Sequence, residues 1–208
     1  MPSTFLVFMN RFLLGIVLIG LVFVFAQIMI KSSTDRIESM KYSVIKEFEG
    51  FEIRSYPEQI VASTELTAKS YEGASSSGFR TVASYIFGGN QRQEKIAMTS
   101  PVVMDFRENV EMSFIMPSGY TLSSLPKPND QNVNLTLRKA DTVAVIQFDG
   151  FASDKVIDSK INELKRYLEN ESIQFDNEFS YMGYSPPYQM IGRRNEICVS
   201  VNFKNNEN

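Results

Sequence analysis

Residues 12–30, FLLGIVLIGLVFVFAQIMI, run nineteen positions without a charge. A helix of that length rises roughly 28 Å, about the hydrocarbon thickness of a bilayer. A cleaved signal peptide usually has a shorter apolar region ending in a small-x-small site. Ala26-Gln27-Ile28 supplies no such site, so the pattern predicts an uncleaved anchor behind a tail of residues 1–11. Residues 31–41 are polar and mixed in charge and read as a tether, with a folded domain over 42–208. From there a period of two takes over. FEIRSY and IVASTEL flank Pro57; VNLTLR alternates Val133, Leu135 and Leu137 against polar partners; EICVSVNF alternates Ile197, Val199, Val201 and Phe203 against Glu196, Cys198, Ser200 and Asn202. These are half-buried antiparallel strands.

Two segments break that period. Phe79, Val82, Ala83 and Ile86 recur at the spacing of one helix face, with the serines of SSSGF as candidate caps and Gly88-Gly89-Asn90 as the stop. Ile157, Ile161, Leu164 and Leu168 form a second stripe behind Ser153 as cap and Asp154 in the first turn. Residues 118–132, rich in Pro, Ser and Asn, read as the loop joining two halves.

The halves, 51–116 and 133–203, repeat one another. Val61-Ala62 matches Val143-Ala144, Ser100-Pro101 matches Ser185-Pro186, and Glu111 matches Glu196. The match puts Gly183 in the place of Met98. Closing such strands removes vulnerable edges, and helices cover the outside. The expected fold class is therefore α+β: a distorted antiparallel eight-stranded barrel of two pseudo-symmetric repeats, flanked by two helices and preceded by one transmembrane helix. Ser100-Pro101 should start or bend an edge strand.

Charge and composition narrow the function. A net charge of −3 with dispersed Lys and Arg gives no basic footprint, so no nucleic-acid partner is expected. The absence of histidine removes the commonest metal ligand and general base, and the single Cys198 excludes an intrachain disulfide. Carboxylate pairs such as Glu47/Glu49 and Asp105/Glu108 have no marked setting, so no enzyme is expected. Arg11 lies before the span, and Lys31, Arg36, Lys41 and Lys46 follow it. The reading is a single-pass membrane protein, with the side of the domain left open.

KIAMTSPV after a GGN loop, IQFDGFAS before the second helix, and GYSPPYQMIGRRNEI at 183–197 resemble the SOUL family of heme-binding proteins over about residues 42–203. The resemblance implies a distorted barrel of duplicated units and non-covalent binding of heme or another tetrapyrrole in an apolar cleft beside the first helix, without enzymatic activity. Iron ligation through histidine, proposed for some members, has no residue to use here; Met98, Met104, Met190, Cys198 or a tyrosine are the remaining ligand types. Ligation is not required. Covering roughly 400 Å² of apolar ligand at about 25 cal/mol/Å² gives on the order of 10 kcal/mol before ordering costs.

The expected ligand-contacting residues are Phe79, Arg80, Val82, Ala83, Ile86, Met98 and Tyr184, with no resident metal site. Core packing is the plainer reading of the helix face. Arg80, then Arg92 and Lys95, would meet propionates; Arg193-Arg194 reads as a structural bridge to Glu196 or Glu111, with an anion clamp as the alternative. The expected function is a membrane-anchored tetrapyrrole buffer or carrier. The alternative is an effector or protein-interaction module using the same barrel cleft without heme.

Overall fold

The apolar run becomes the first element. In the computed structural model, which describes residues 2–203, α1 (Pro2–Thr34) extends beyond the expected span at both ends. Residue 1 of the expected tail and residues 204–208 of the expected domain lie outside the described residues. Phe12, Leu18, Ile19 and Phe25 are all more than half exposed, so α1 is apolar without being packed as a core helix is. Among the described residues it is the one helix long and apolar enough to cross a bilayer.

The alternating segments form one antiparallel sheet: β1 (Ser43–Phe48), β2 (Phe51–Tyr56), β3 (Gln59–Leu66), β4 (Val102–Phe106), β5 (Val110–Ile115), β6 (Asn134–Arg138), β7 (Asp141–Phe148), β8 (Gln174–Gly183) and β9 (Asn195–Asn202). Their order is β1-β2-β7-β9-β8-β4-β5-β3-β6. The fold is α+β as expected, but the sheet has nine strands and is open. β1 adds a strand to the expected eight, and among the described residues no pairing joins β1 to β6.

The sheet is nevertheless strongly curled. Arg138 on β6 donates to Asp105 on β4, although β3 and β5 lie between them. Three strand spacings amount to about 14 Å on a flat sheet, beyond the reach of these side chains, so β6 must fold back over the concave face.

Both amphipathic helices lie on the other face. α2 (Tyr71–Ile86) packs against β3 and β5, and α3 (Asp154–Asn170) against β7, β8 and β9. Ser153 caps α3 as predicted, its hydroxyl accepting from Val156 N. The cap of α2 is Ser70, which accepts from Gly73 N; Ser75, Ser76 and Ser77 are interior helix positions instead. Gly78 permits the close approach of α2, because a Cβ there would meet Leu66 Cδ1 at 2.7 Å and the Met112 side chain at 3.2 Å. Val82, Ile86, Met112, Phe114, Leu164, Ile197 and Val199 fill this main core.

A second, smaller core lies on the concave face, around Val61, Val103, Val143, Val145, Met182 and Cys198. Cys198 and Glu196, read as the polar side of their strand, are therefore buried. The enclosing curl, invisible to alternation, is the reason.

The two Ser-Pro segments occupy different places in the chain path. Ser100-Pro101, joined by a cis peptide bond, precedes β4, whereas Ser185-Pro186 follows β8. Gly183 lies opposite Val102 on β4. β4 is internal, flanked by β8 and β5, so Ser100-Pro101 does not lead into an edge strand. The expected tether is also partly structured. Residues 31–34 continue α1, and Ser39 makes a parallel bridge with Ser100.

Candidate functional site

That bridge builds the wall of a cleft. Met40 N donates to Ser100 O at 2.8 Å, Ser100 N donates to Glu38 O at 2.9 Å, and the Ser39 and Ser100 hydroxyls lie 2.8 Å apart. The second wall is the β2–β3 turn at Pro57-Glu58. The third is the chain leaving β5, tied down by Met116 N to Ile60 O at 2.8 Å and by Thr99 Oγ1 to Ile115 O at 2.5 Å. Between them lies a cleft of about 270 Å³ with Ile60, Ile115, Met116 and Tyr120 among its lining and Met40 on its wall.

Its rim is polar and mixed in sign: Glu38, Lys41 and Glu58. Hydrogen bonds from Ser118 hold the Glu38 carboxyl below its ordinary range. Tyr120 donates to Glu94 Oε1 at 2.7 Å, and that bond raises its phenol pKa. The chemistry on offer is apolar contact, two thioethers and one rim cation. Among the described residues no three His, Cys, Asp or Glu side chains cluster to hold a metal ion.

Five of the residues expected to meet a ligand share α2, and Met98 packs against the same core, whereas Tyr184 lies apart from them. Val82, Ala83 and Ile86 are buried beneath α2. Phe79 is half-buried, its ring 5.2 Å from that of Phe114. Arg80 is exposed, with Nε donating to Ser76 O at 3.3 Å. Met98 is half-buried against the main core and adjoins Thr99, a cleft-lining residue. Tyr184 packs on the concave face, opposite α2, and donates to Glu196 Oε2 at 2.8 Å. Met104 is buried in the main core, Met190 is exposed, and burial pushes the Cys198 thiol pKa upward, away from thiolate chemistry.

One member of the arginine pair makes the expected bridge to Glu196. Arg194 bridges to Glu196 at 2.6 Å, whereas Arg193 donates to backbone oxygens of Pro186 and Gln189, both at 2.7 Å. Arg92 donates to Ser124 O at 2.5 Å and pairs with Glu94. Sequence reasoning missed Met40, Ile60, Met116 and Tyr120. Their common signal, adjacency to Ser100 and to the end of β5, exists only once Ser39 is bridged to Ser100.

Comparison with known proteins gives this arrangement a family. The C-terminal domain of EcmrR superposes with a TM-score of 0.57 at 13% identity, covering 79% of this chain and all of that one. A hydrolase from Listeria innocua superposes with a TM-score of 0.53 at 10% identity, over 82% and 96%. At such identities these likenesses concern the fold alone. Heme-binding protein 2 of Homo sapiens is 30% identical over 158 residues, 72% of this chain and 77% of the human protein. Heme-binding protein 1 of Xenopus laevis is 29% identical over 160 residues, 73% of this chain and 84% of its own length. A sequence model of the SOUL heme-binding proteins matches residues 37–200, the sheet, both covering helices and the cleft wall included, and the chain belongs to that family.

Proposed function

We propose that this chain is a membrane-anchored protein that binds heme or a related tetrapyrrole non-covalently, as a buffer or carrier rather than an enzyme. The observation that carries the reading is family membership across the whole domain, supported by the names of the two heme-binding relatives. The exposed apolar surface of α1 supports the anchor, since such a helix is stable in lipid and costly in water.

The lining of the cleft suits part of a tetrapyrrole. Ligand pockets commonly span about 300–1,000 Å³, and this cleft measures about 270 Å³. It therefore accepts an edge of the macrocycle, with the remainder lying against the outer surface. Ile60, Ile115, Met40 and Met116 would hold the edge, and Lys41, the rim cation, would meet a propionate. Heme would supply an iron centre; the chain, lacking histidine, supplies shape and apolar area. Binding then depends on the ring and little on the metal.

The same reading treats the domain as two copies of one unit. Supporting it, β2–β3–α2–β4–β5 and β6–β7–α3–β8–β9 occupy corresponding sheet positions, and Ile53 faces Ala144 where Leu135 faces Ala62.

Titration of the full chain in nanodiscs with hemin and with iron-free protoporphyrin tests the function. Saturable binding of both at similar affinity is expected. Saturable binding of neither would reject the tetrapyrrole reading in favour of an effector or protein-interaction module.

A further inference from the structure

Gln27 is the exceptional residue of α1. It lies inside the uncharged run, yet it is 6% exposed while Phe25, Ile28 and Met29 beside it are all more than half exposed. A primary amide facing hydrocarbon without partners costs several kcal/mol. Here its partners come from the domain: Met190 N donates to Gln27 Oε1 at 2.8 Å, and Gln27 Nε2 donates to Tyr188 O at 3.4 Å. The Lys31 stem passes Gly192 one turn further on, where a Cβ would meet Lys31 Cε at 3.2 Å. The loop between β8 and β9 is thus tied to the last turns of the apolar helix.

That attachment fixes a height. Gln27 precedes Ile30, the end of the uncharged run, by three residues, and at 1.5 Å per residue it lies about 4–5 Å inside that end. Interfacial segments bury their apolar faces about 5–10 Å into the headgroup and acyl boundary. The loop therefore stands at the level of that boundary.

Its surface chemistry matches the position. Tyr188, Met190, Ile191 and Phe151 are each more than half exposed, whereas the other large apolar side chains exposed on the domain, Val44, Phe87, Leu122 and Leu137, are scattered over separate segments. The loop is also held in shape. Arg193 donates to Pro186 O, Gln189 O and Gly150 O while its guanidinium lies 4.5 Å over the Phe151 ring, and buried Gln189 donates to Ile191 O and Gly192 O. A presented, rigid apolar patch loses little side-chain and backbone freedom on insertion. Lys31, beside it, pairs with Asp35 at 3.2 Å in an exposed bridge from which its ammonium can turn toward lipid phosphates.

We propose that Tyr188, Met190, Ile191 and Phe151 form a second membrane contact, a wedge that dips into the bilayer interface beside α1 and fixes the orientation of the domain against the lipid surface. The proposal rests on reading α1 as a membrane span, and its test separates the two.

The chain has no tryptophan, so one introduced indole reports unambiguously. Full-length Ile191→Trp and Leu18→Trp chains are reconstituted separately into phosphatidylcholine vesicles whose acyl chains carry bromine near the glycerol or near the methyl end. Ile191→Trp should emit to the blue of an aqueous indole and lose intensity mainly to glycerol-end bromine; Leu18→Trp should lose it mainly to methyl-end bromine. A quenched Leu18→Trp with unquenched Ile191→Trp and Met190→Trp overturns the wedge and leaves the anchor standing. An unquenched Leu18→Trp overturns the anchor, and the wedge with it.

Discussion

Arg54 Nη1 donates to both carboxylate oxygens of Glu196, at 3.1 and 3.0 Å, across the intervening strand β7. Both side chains are almost wholly buried on the concave face. Arg194 also pairs with Glu196, but its side chain is 36% exposed. Tyr184 completes the shell at 2.8 Å. Removing one partner of a buried ion pair commonly costs about 3–5 kcal/mol, because the remaining charge stays desolvated. Arg54→Met should therefore lower stability by about that amount, and Arg194→Met by distinctly less, since water can replace part of what its guanidinium provides. Chemical denaturation of the full chain in micelles measures both. A larger loss for Arg194→Met would contradict this ranking.

That cluster also marks where sequence periodicity stops informing. The alternation of Ile197, Val199 and Val201 correctly placed one side of β9 in the main core. It could not reveal that Glu196 and Cys198 point into a second enclosure, because a polar face looks the same whether it meets water or a satisfied concave interior. β1 escaped notice for the opposite reason. SVIKEF is a largely exposed edge with no apolar side long enough to register. The cleft was illegible because residues 38–41, 57–60 and 115–120 converge only through tertiary pairing.

Helix starts give a direct test of one correction. Ser70 and Ser153 accept from Gly73 N and Val156 N, both at 3.3 Å. Replacing a capping serine by alanine costs about 1 kcal/mol. Ser70→Ala and Ser153→Ala should each lower Tm accordingly. Ser76→Ala, at an exposed interior position of α2, should raise stability by a few tenths of a kcal/mol through helix propensity. Thermal unfolding followed by circular dichroism separates these signs; a loss at Ser76 matching that at Ser70 would place the cap at the wrong serine.

Buried phenols set the alkaline limit. Burial, and then the Glu94 carboxylate, pushes the Tyr85 pKa up to about 12; burial likewise raises Tyr56, Tyr181 and Tyr184. These groups keep their protons in the folded chain at pH values where the unfolded chain, with phenols near 10, has released them. The folded state then binds more protons than the unfolded state, so stability falls as pH rises. The contribution is intact below about pH 10 and is lost progressively upward through the folded pKa values. Tm should drop steeply across that window. Tyrosinate absorbance at about pH 11 should reveal fewer ionised phenols than the nine the chain contains, with the remainder appearing on unfolding. Complete ionisation without loss of structure would contradict the burial of these rings.

Two substitutions distinguish the cleft from the helix as the ligand surface. Met40 stands half-buried on the cleft wall, and Phe79 stands half-buried at the edge of α2. Met40→Asp puts a carboxylate beside Glu38, where it opposes both the apolar ring and its propionates. If the cleft takes the macrocycle edge, losing the apolar contact of one side chain, about 1.5–3 kcal/mol, weakens hemin affinity by roughly tenfold to a hundredfold. Phe79→Asp should then leave affinity nearly unchanged, provided circular dichroism shows α2 intact, because its ring packs on Phe114 outside the cleft. The reverse ranking would assign binding to the exposed edge of α2 and make the cleft incidental. The absence of histidine sharpens the comparison, since no imidazole ligand elsewhere can mask the loss of apolar contact.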